Sequence, residues 1–313
     1  MNERKAGPTA SVGPAAVASA VPPHLVTYAY LGFAIVAWGS NWPLLKLAVA
    51  DAPPITFTAI RLLSSAAVIA ILLAVWRQPL LPRRGERLLL GLSGFLQIGA
   101  ILGLNMLGLQ FLPPGRAAIL TFTMPLWTIP FGIWLLREHP GRLKLAGGGI
   151  GLLGLVLFFN PALVDWHDRD QLLGNGINLL SGACWALGAV IYRRRRWQTA
   201  FWTQTFWQIL MSGLPLVPAV ALFEVGRPIH WTGILVFAWA FTAFLGTGIG
   251  YWCWARVLTA LPATTAGQFT MLVPVIAFCY SAGFFGEQVT LQVLASVALI
   301  FAGVILTLRA QRR

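Results

Sequence analysis

The stretch Pro125-Leu-Trp-Thr-Ile-Pro-Phe-Gly-Ile-Trp-Leu-Leu-Arg-Glu138 has a counterpart 149 residues later in Pro274-Val-Ile-Ala-Phe-Cys-Tyr-Ser-Ala-Gly-Phe-Phe-Gly-Glu287. Both are almost wholly apolar, and both carry a proline and a glutamate separated by the same 13 positions. Shared apolar composition alone does not fix that spacing. Moving outward, the same offset places Pro113 on Pro262, Gly99 on Gly248 and Gly154 on Gly303, and an offset of 147 places Trp38 on Trp185 and Lys46 on Arg193. The chain is therefore an internal duplication, its copies differing in length by two residues between the second and third apolar runs.

Each copy is too apolar for water. Of 313 residues, 58% are hydrophobic and 10% charged, with a mean hydropathy of +0.75, whereas a soluble domain carries roughly 25% charged residues. The net charge of +13 would suggest nucleic acid in a soluble protein. Here the basic residues fall in short gaps between apolar runs, so they read as topology signals and no nucleic-acid partner is expected. A bilayer core needs roughly 20 helical residues. Ten runs qualify when short or glycine-rich ones are allowed, at 26–47, 54–76, 88–111, 117–136, 145–159, 177–192, 203–223, 234–257, 264–285 and 291–308.

Five runs per copy is an odd number, so the copies enter the membrane from opposite sides. The expected fold is an all-α membrane protein of ten transmembrane helices arranged as two five-helix inverted-topology repeats, 26–160 and 177–309. A disordered tail at 1–25, a periplasmic linker at 161–176 and a short tail at 310–313 complete the chain. On this topology seventeen Lys and Arg share the side of the amino terminus. The other side receives Lys46, Arg116, Arg169 and Arg227, and Arg61 lies inside a span. Basic residues mark the cytoplasmic face, so both termini are expected inside the cell and the protein in the inner membrane. The tail lacks the apolar core of a cleavable signal.

Polar residues inside a span are costly unless they face other helices or a wet cavity. Ser40 and Asn41 in the first run, Gln97 and Asn105 in the third, Thr121 in the fourth, and Gln268 and Thr270 in the ninth are candidates to line such a cavity, or to bond neighbouring helices. Trp38, Phe122 and Trp185 offer apolar walls or packing mass. Proline loosens a helix by removing a donor. Pro43, Pro125 and Pro274 are candidate hinges, the last two each sharing a helix face with a threonine four positions earlier. Arg61 reads as a snorkelling or structurally paired side chain, with binding of a substrate carboxylate as the alternative. Glu138 and Glu287 read as caps at span ends, with a proton-coupling pair as the alternative. Glycines four apart, as in Gly99/Gly103, Gly147/Gly151 and Gly246/Gly250, mark close helix contacts. Cys184, Cys253 and Cys279 lie in apolar runs without metal-ligand spacing, and no cofactor is called for.

Trp38-Gly-Ser-Asn-Trp42, the Pro54-x-x-Phe57-x-x-x-Arg61 start of the second run, and the paired proline-to-glutamate segments resemble the EamA-type group of the drug/metabolite transporter superfamily. The resemblance covers 26–309. It implies a ten-helix transporter with a central cavity bounded largely by spans 1, 3, 4, 6, 8 and 9, and relatives that export amino acids or related metabolites. The second copy departs from the pattern where Ala186 follows Trp185 and Gln208 stands opposite Arg61. The expected activity is export of small metabolites, amino acids foremost, by alternating access between the repeats. Cationic drugs or nucleosides are the alternative cargo. The partners are a small-molecule solute and the lipid bilayer, with the oligomeric state left open. Gly91-Leu-Ser-Gly94 resembles the serine motif of rhomboid proteases, but such a nucleophile needs a base in a neighbouring span. His24, His139, His167 and His230 all fall in loops, the tail or span ends, so an enzyme is not expected.

Overall fold

The computed structural model describes residues 23–108, 111–112, 114–159, 168–285 and 289–311. Most of the expected amino-terminal tail lies outside the described residues, as do Pro113, Trp166, His167, Glu287 and the side chains of Lys46 and Pro125. The regular structure described is helical throughout, as apolar runs in a bilayer require, because a helix satisfies its own backbone polar groups.

The first half contains α1 (Pro23–Asp51), α2 (Pro54–Val75), α3 (Arg87–Gly94), α4 (Ile101–Gly108), α5 (Pro114–Thr121), α6 (Met124–Leu136) and α7 (Arg142–Phe159). The second contains α8 (Arg169–Arg194), α9 (Phe201–Gly213), α10 (Leu216–Phe223), α11 (Gly233–Ala240), α12 (Gly250–Ala260), α13 (Ala263–Phe269), α14 (Leu272–Phe285) and α15 (Leu291–Gln311). Among the described residues, eight helical stretches are long and apolar enough to cross a bilayer. They are Pro54–Val75, Arg87–Asn105, Ile119–Leu136, Arg169–Arg194, Phe201–Phe223, Gly233–Ala260, Ala263–Tyr280 and Leu291–Ala310. The chain is a multi-pass membrane protein.

The sixth run, α8, starts at Arg169, earlier than the 177 expected, and takes in part of the supposed linker. Asp168 is the reason: its carboxylate accepts from the backbone N–H of Asp170 and Gln171, capping a helix that apolar patterning alone would begin later.

Interruptions recur at matched places in the two halves. A π-helical stretch, Phe95–Ala100, joins α3 to α4, and another, Phe241–Ile249, joins α11 to α12. The fourth span breaks at Phe122 and Thr123, just ahead of Pro125. The ninth breaks at Thr270 and Met271, just ahead of Pro274. Each break is closed by a tight turn, with Thr123 N–H donating to Leu120 O (3.2 Å) and Thr270 N–H to Gly267 O (3.1 Å). Proline lacks a donor, and its ring crowds the preceding turn, so a helix reaching it is weakest there.

The packing is reciprocal. α1 lies against α14 and against α11–α12, while α8 lies against α6 and against α3–α4. α2 packs on α9, and α7 packs on α15. The α7–α15 pair is antiparallel and glycine-lined: Gly147 faces Gly303 and Thr307, and Gly154 faces Ser296 and Ile300. A Cβ on Gly303 would stand 2.5 Å from Gly147 O and Gly151 N, so the two backbones are in direct contact.

The arginines gather at one end of the bundle, where Arg195 Nη1 donates to Gly85 O (2.8 Å) and Arg193 Nη1 to Leu258 O (2.6 Å). There the buried Glu86 carboxylate accepts from the N–H groups of Gln198 and Thr199 and from Thr199 Oγ1, clamping the entrance to α9. At the opposite end the buried Glu224 accepts from the N–H groups of Ile55 and Thr56 and from Thr56 Oγ1, clamping the start of α2. The Glu138 carboxylate acts between helices. It pairs with Arg193 at 3.4 Å and accepts from Thr264 Oγ1 at 3.0 Å, tying α6 to α8 and α13.

Candidate functional site

The helical repeat sets Trp38, Asn41, Trp42 and Leu45 on one stripe of α1, and that stripe faces a cavity of about 60 Å3. Arg61 of α2, Ile101, Leu102 and Asn105 of α4, Thr121 and Phe122 at the α5 break, Trp185 of α8 and Tyr251 of α12 complete the wall. The space suffices for about four waters. A larger solute therefore needs the walls to move.

The floor is aromatic. Trp38 meets Trp185 and Tyr251 with ring centroids 5.4 Å away in each case, and Trp254 at 5.5 Å. Phe122 lies 5.5 Å from Trp185 and 6.1 Å from Trp42. Tilted and edge-to-face contacts of this kind favour the ring quadrupoles. Trp38 Nε1–H donates to Gly246 O (3.0 Å) in the second π stretch.

The polar groups fall into two sets. In one, Asn105 Oδ1 accepts from Thr121 Oγ1 (2.7 Å) and Ser181 Oγ (2.8 Å), so these three knit α4, α5 and α8 together. In the other, buried atoms lack partners: Asn41 Oδ1 and Trp185 Nε1 have no hydrogen bond. Arg61 is only 3% exposed. Its Nε donates to Thr247 Oγ1 (3.0 Å), whose own hydrogen goes to Thr242 O (2.8 Å). Arg61 does not snorkel to a surface. It points into the cavity wall.

A second cluster lies towards the arginine-rich end and is lined by Gln97, Tyr192, Gln208, Tyr251, Trp254, Ala255 and Leu258, with no room for a water. It is filled by its own side chains. Tyr251 OH donates to Gln97 O (3.0 Å), Trp254 Nε1 to Gln97 Oε1 (2.9 Å) and Gln208 Nε2 to Ser93 Oγ (3.1 Å). Tyr192, Gln208, Tyr251 and Trp254 are the repeat equivalents of Leu45, Arg61, Leu102 and Asn105, at offsets of 147 or 149. The closed cluster is the counterpart of the open cavity.

Of the residues expected at a site, the cavity brings together Trp38, Asn41, Asn105, Thr121, Phe122 and Trp185. Ser40 lies outside it, its hydroxyl donating to Val36 O, and Gln97 belongs to the closed cluster. Gln268 bonds Lys144 O and Thr307 Oγ1, and Thr270 bonds Gly267 O. Both are buried in the seam with α6, α7 and α15. Pro43 sits within the continuous α1. Sequence reasoning passed over Trp42, Leu45, Ile101, Leu102 and Tyr251 as wall residues. Arg61 carried a signal, a charge inside a span. Ser93 bonds Leu90 O and Gln208, neither of them a base. A larger groove of about 770 Å3 runs between α2, α4 and α10, but exposed Phe95, Leu107 and Phe223 line it and it opens on the outer surface.

Two stretches, 26–160 and 172–309, each match the EamA-like transporter family, one in each half of the duplication. The chain belongs to the EamA-like transporter family. As a family member it is a membrane transporter. It is 25% identical over 272 residues to the uncharacterized transporter YoaV of Bacillus subtilis, spanning 85% of this chain and 91% of that one. It is 24% identical over 277 residues to a probable amino-acid metabolite efflux pump of Salmonella typhimurium, spanning 86% and 90%. The Escherichia coli protein of the same description is 23% identical, spanning 85% and 89%. A crystal structure superposes with a TM-score of 0.77 at 20% identity, covering 93% of this chain and 99% of that one. The two chains share their fold at that distance.

Proposed function

We propose that this EamA-like transporter exports small metabolites, amino acids foremost, by alternating access between two inverted five-helix repeats that together make ten spans. The observation that carries the reading is the pair of repeat-equivalent sites, one an open cavity of about 60 Å3 and the other packed shut. Two sites equivalent by sequence but unequal in space are what a two-state exchanger holds in either state.

Reciprocal helix contacts, and antiparallel self-contacts at α7–α15, support a twofold axis perpendicular to the helices and so parallel to the membrane. With α1 and α7 counted as spans, each repeat has five. The arginine-rich end then faces the cytoplasm of the inner membrane, and the open cavity belongs to the outer half. The helix breaks before Pro125 and Pro274 serve as the bending points. The wall combines neutral hydrogen-bonding groups, apolar rings and a guanidinium, a mixture suited to a zwitterion with an apolar side group. The two relatives named as probable amino-acid metabolite efflux pumps agree with that cargo.

The test is reconstitution into liposomes with labelled amino acids, nucleosides and cationic drugs, with and without a pH gradient. Counterflow of one or more amino acids is expected. Movement of nucleosides or cationic drugs alone would remove the amino-acid part of the reading, and no movement of any solute would remove the transport reading.

A further inference from the structure

We propose that Arg61 and Asn41 form a zwitterion-recognition pair, Arg61 binding the carboxylate of the transported solute and Asn41 Oδ1 accepting from its ammonium group. This rests on the cavity being the transport site. Arg61 sits seven positions into α2 and is 3% exposed, and Thr247 Oγ1 is the one acceptor it meets among the described residues. A guanidinium has five N–H donors in a rigid fork. Among the described residues this one makes no further hydrogen bond, and no carboxylate pairs with it.

A lone cation inside a bilayer-spanning bundle is costly to hold. A partner arriving with the opposite charge offsets that cost, and a carboxylate fits the fork through two parallel hydrogen bonds. Trp185, 2% exposed and in the same wall, has an Nε1–H that is a second donor without a partner. Asn41, 7% exposed and also in that wall, has an unpartnered acceptor in its buried Oδ1, which packs on Gly246. Two sets of donors for an anion and one acceptor for an N–H group are the complement of an α-amino acid. The rings of Trp38, Trp42 and Phe122 are left for its side chain.

The repeat equivalent of Arg61 is Gln208, so the charge belongs to one copy only. Specificity for an anion is thereby carried by the outer site, and a cationic drug would meet a like charge there. A neutral solute without a carboxylate would leave the guanidinium unpaired.

The experiment uses the purified full chain in liposomes and in detergent. The probes are the twenty amino acids, their methyl esters and their deaminated carboxylic acids. In the wild type, each amino acid that is transported, or that raises the thermal midpoint, should outcompete its methyl ester by roughly tenfold or more, the effect of losing a charge-assisted bidentate contact. Arg61→Gln should erase that preference, and Arg61→Lys should keep part of it. Asn41→Leu should reduce the preference for an amino acid over its deaminated acid. Equal competition by amino acid and ester in the wild type would overturn the inference without needing any variant. So would a wild type that moves only carboxylate-free solutes, which leaves transport standing, or one that neither moves nor is stabilised by any carboxylate, which also removes the amino-acid reading.

Discussion

Trp38 and Trp185 meet edge to face, with ring centroids 5.4 Å apart and planes at 76°, and they are each other's equivalents in the internal duplication. Residues exchanged by a twofold rotation touch only where the axis passes between them. In the proposed twofold arrangement the contact marks where the axis passes, with the open cavity and the closed cluster on either side of it. The balance is imperfect in a useful way. Trp38 Nε1–H is bonded to Gly246 O, whereas Trp185 Nε1–H has no acceptor.

That asymmetry separates two otherwise similar substitutions. Trp38→Phe leaves the Gly246 carbonyl without its donor in a dry place and should cost about 1–3 kcal/mol of stability. Trp185→Phe removes a donor that serves nothing in the empty protein, so it should cost less, while weakening binding of carboxylate probes. Thermal unfolding in detergent reads the first difference and ligand-induced shifts the second. Equal destabilisation by both would contradict the hydrogen-bond assignment.

The equivalence of these tryptophans was legible in the sequence, but their contact was not, because an offset relates positions and gives no distance. The helical runs were legible for the same reason that hydropathy works in membranes. The π stretches were not, because a local widening of the helix leaves apolar spacing almost untouched. Thr270 and Gln268 looked like cavity residues by analogy with the first copy, yet they lie in the α6–α7–α15 seam. Equivalence by sequence does not give equal surroundings when the two halves occupy unequal positions. Arg61 stood apart from the symmetric set, since its counterpart is Gln208, and the structure places it in the cavity wall. A site that discriminates by charge has no need of symmetry.

Glu86 makes the fold sensitive to acid at the arginine-rich end. Burial alone would raise its affinity for a proton, but the Thr199 hydroxyl, the Gln198 and Thr199 N–H groups and nearby Arg195 outweigh burial and hold it below its ordinary value of 4.5. A carboxyl depressed in the folded state stabilises above its unfolded value and loses that contribution as pH falls through the folded one. The thermal midpoint should thus drop as pH is lowered below about 4.5, and Glu86→Gln should flatten that part of the profile while lowering the midpoint at neutral pH. An unchanged acid limb in the variant would place the sensitivity elsewhere.

Two glycines make opposite predictions from the same kind of substitution. Gly303→Ala drives a methyl group against Gly147 O and Gly151 N, both backbone atoms at 2.5 Å, and should cost about 1–3 kcal/mol as the helices are forced apart. Gly103 lies within α4 and a Cβ there would meet nothing within 4 Å, so Gly103→Ala should stabilise by up to about 1 kcal/mol through helix propensity. Thermal midpoints of the two single variants, measured in one detergent, decide the matter. A stabilising Gly303→Ala would refute the close α7–α15 contact.

The Glu138–Arg193 pair joins three of the helices beneath the closed cluster, and both side chains remain partly exposed, at 18% and 24%. Its direct coupling should accordingly be modest, about 0.2–1 kcal/mol in a double-mutant cycle with Glu138→Gln and Arg193→Gln, and should shrink in high salt. If closing the arginine-rich end depends on it, Glu138→Gln should also make a cysteine introduced at Ala255, in the lining of the closed cluster, react faster with a soluble maleimide. No gain in labelling would mean that the pair fastens the helices without controlling access.

The last expectation concerns the matched helix breaks. The fourth span is interrupted at 122–123 and the ninth at 270–271, each just ahead of a proline and closed by a tight turn. The first break holds Phe122 in the cavity wall, so a change of angle there moves a ring that lies 5.5 Å from Trp185. Restoring the missing donors should let the helices run straighter, and the angle change that alternating access requires would then cost more. Pro125→Ala and Pro274→Ala should each lower initial rates in liposomes while folded yield and thermal midpoint stay level or rise, because each adds a helical hydrogen bond. The double variant should be slower than either alone, with equilibrium binding of the solute largely kept. Wild-type rates in the double variant would exclude these prolines as hinges, and a parallel loss of rate and folded yield would reassign them to structure.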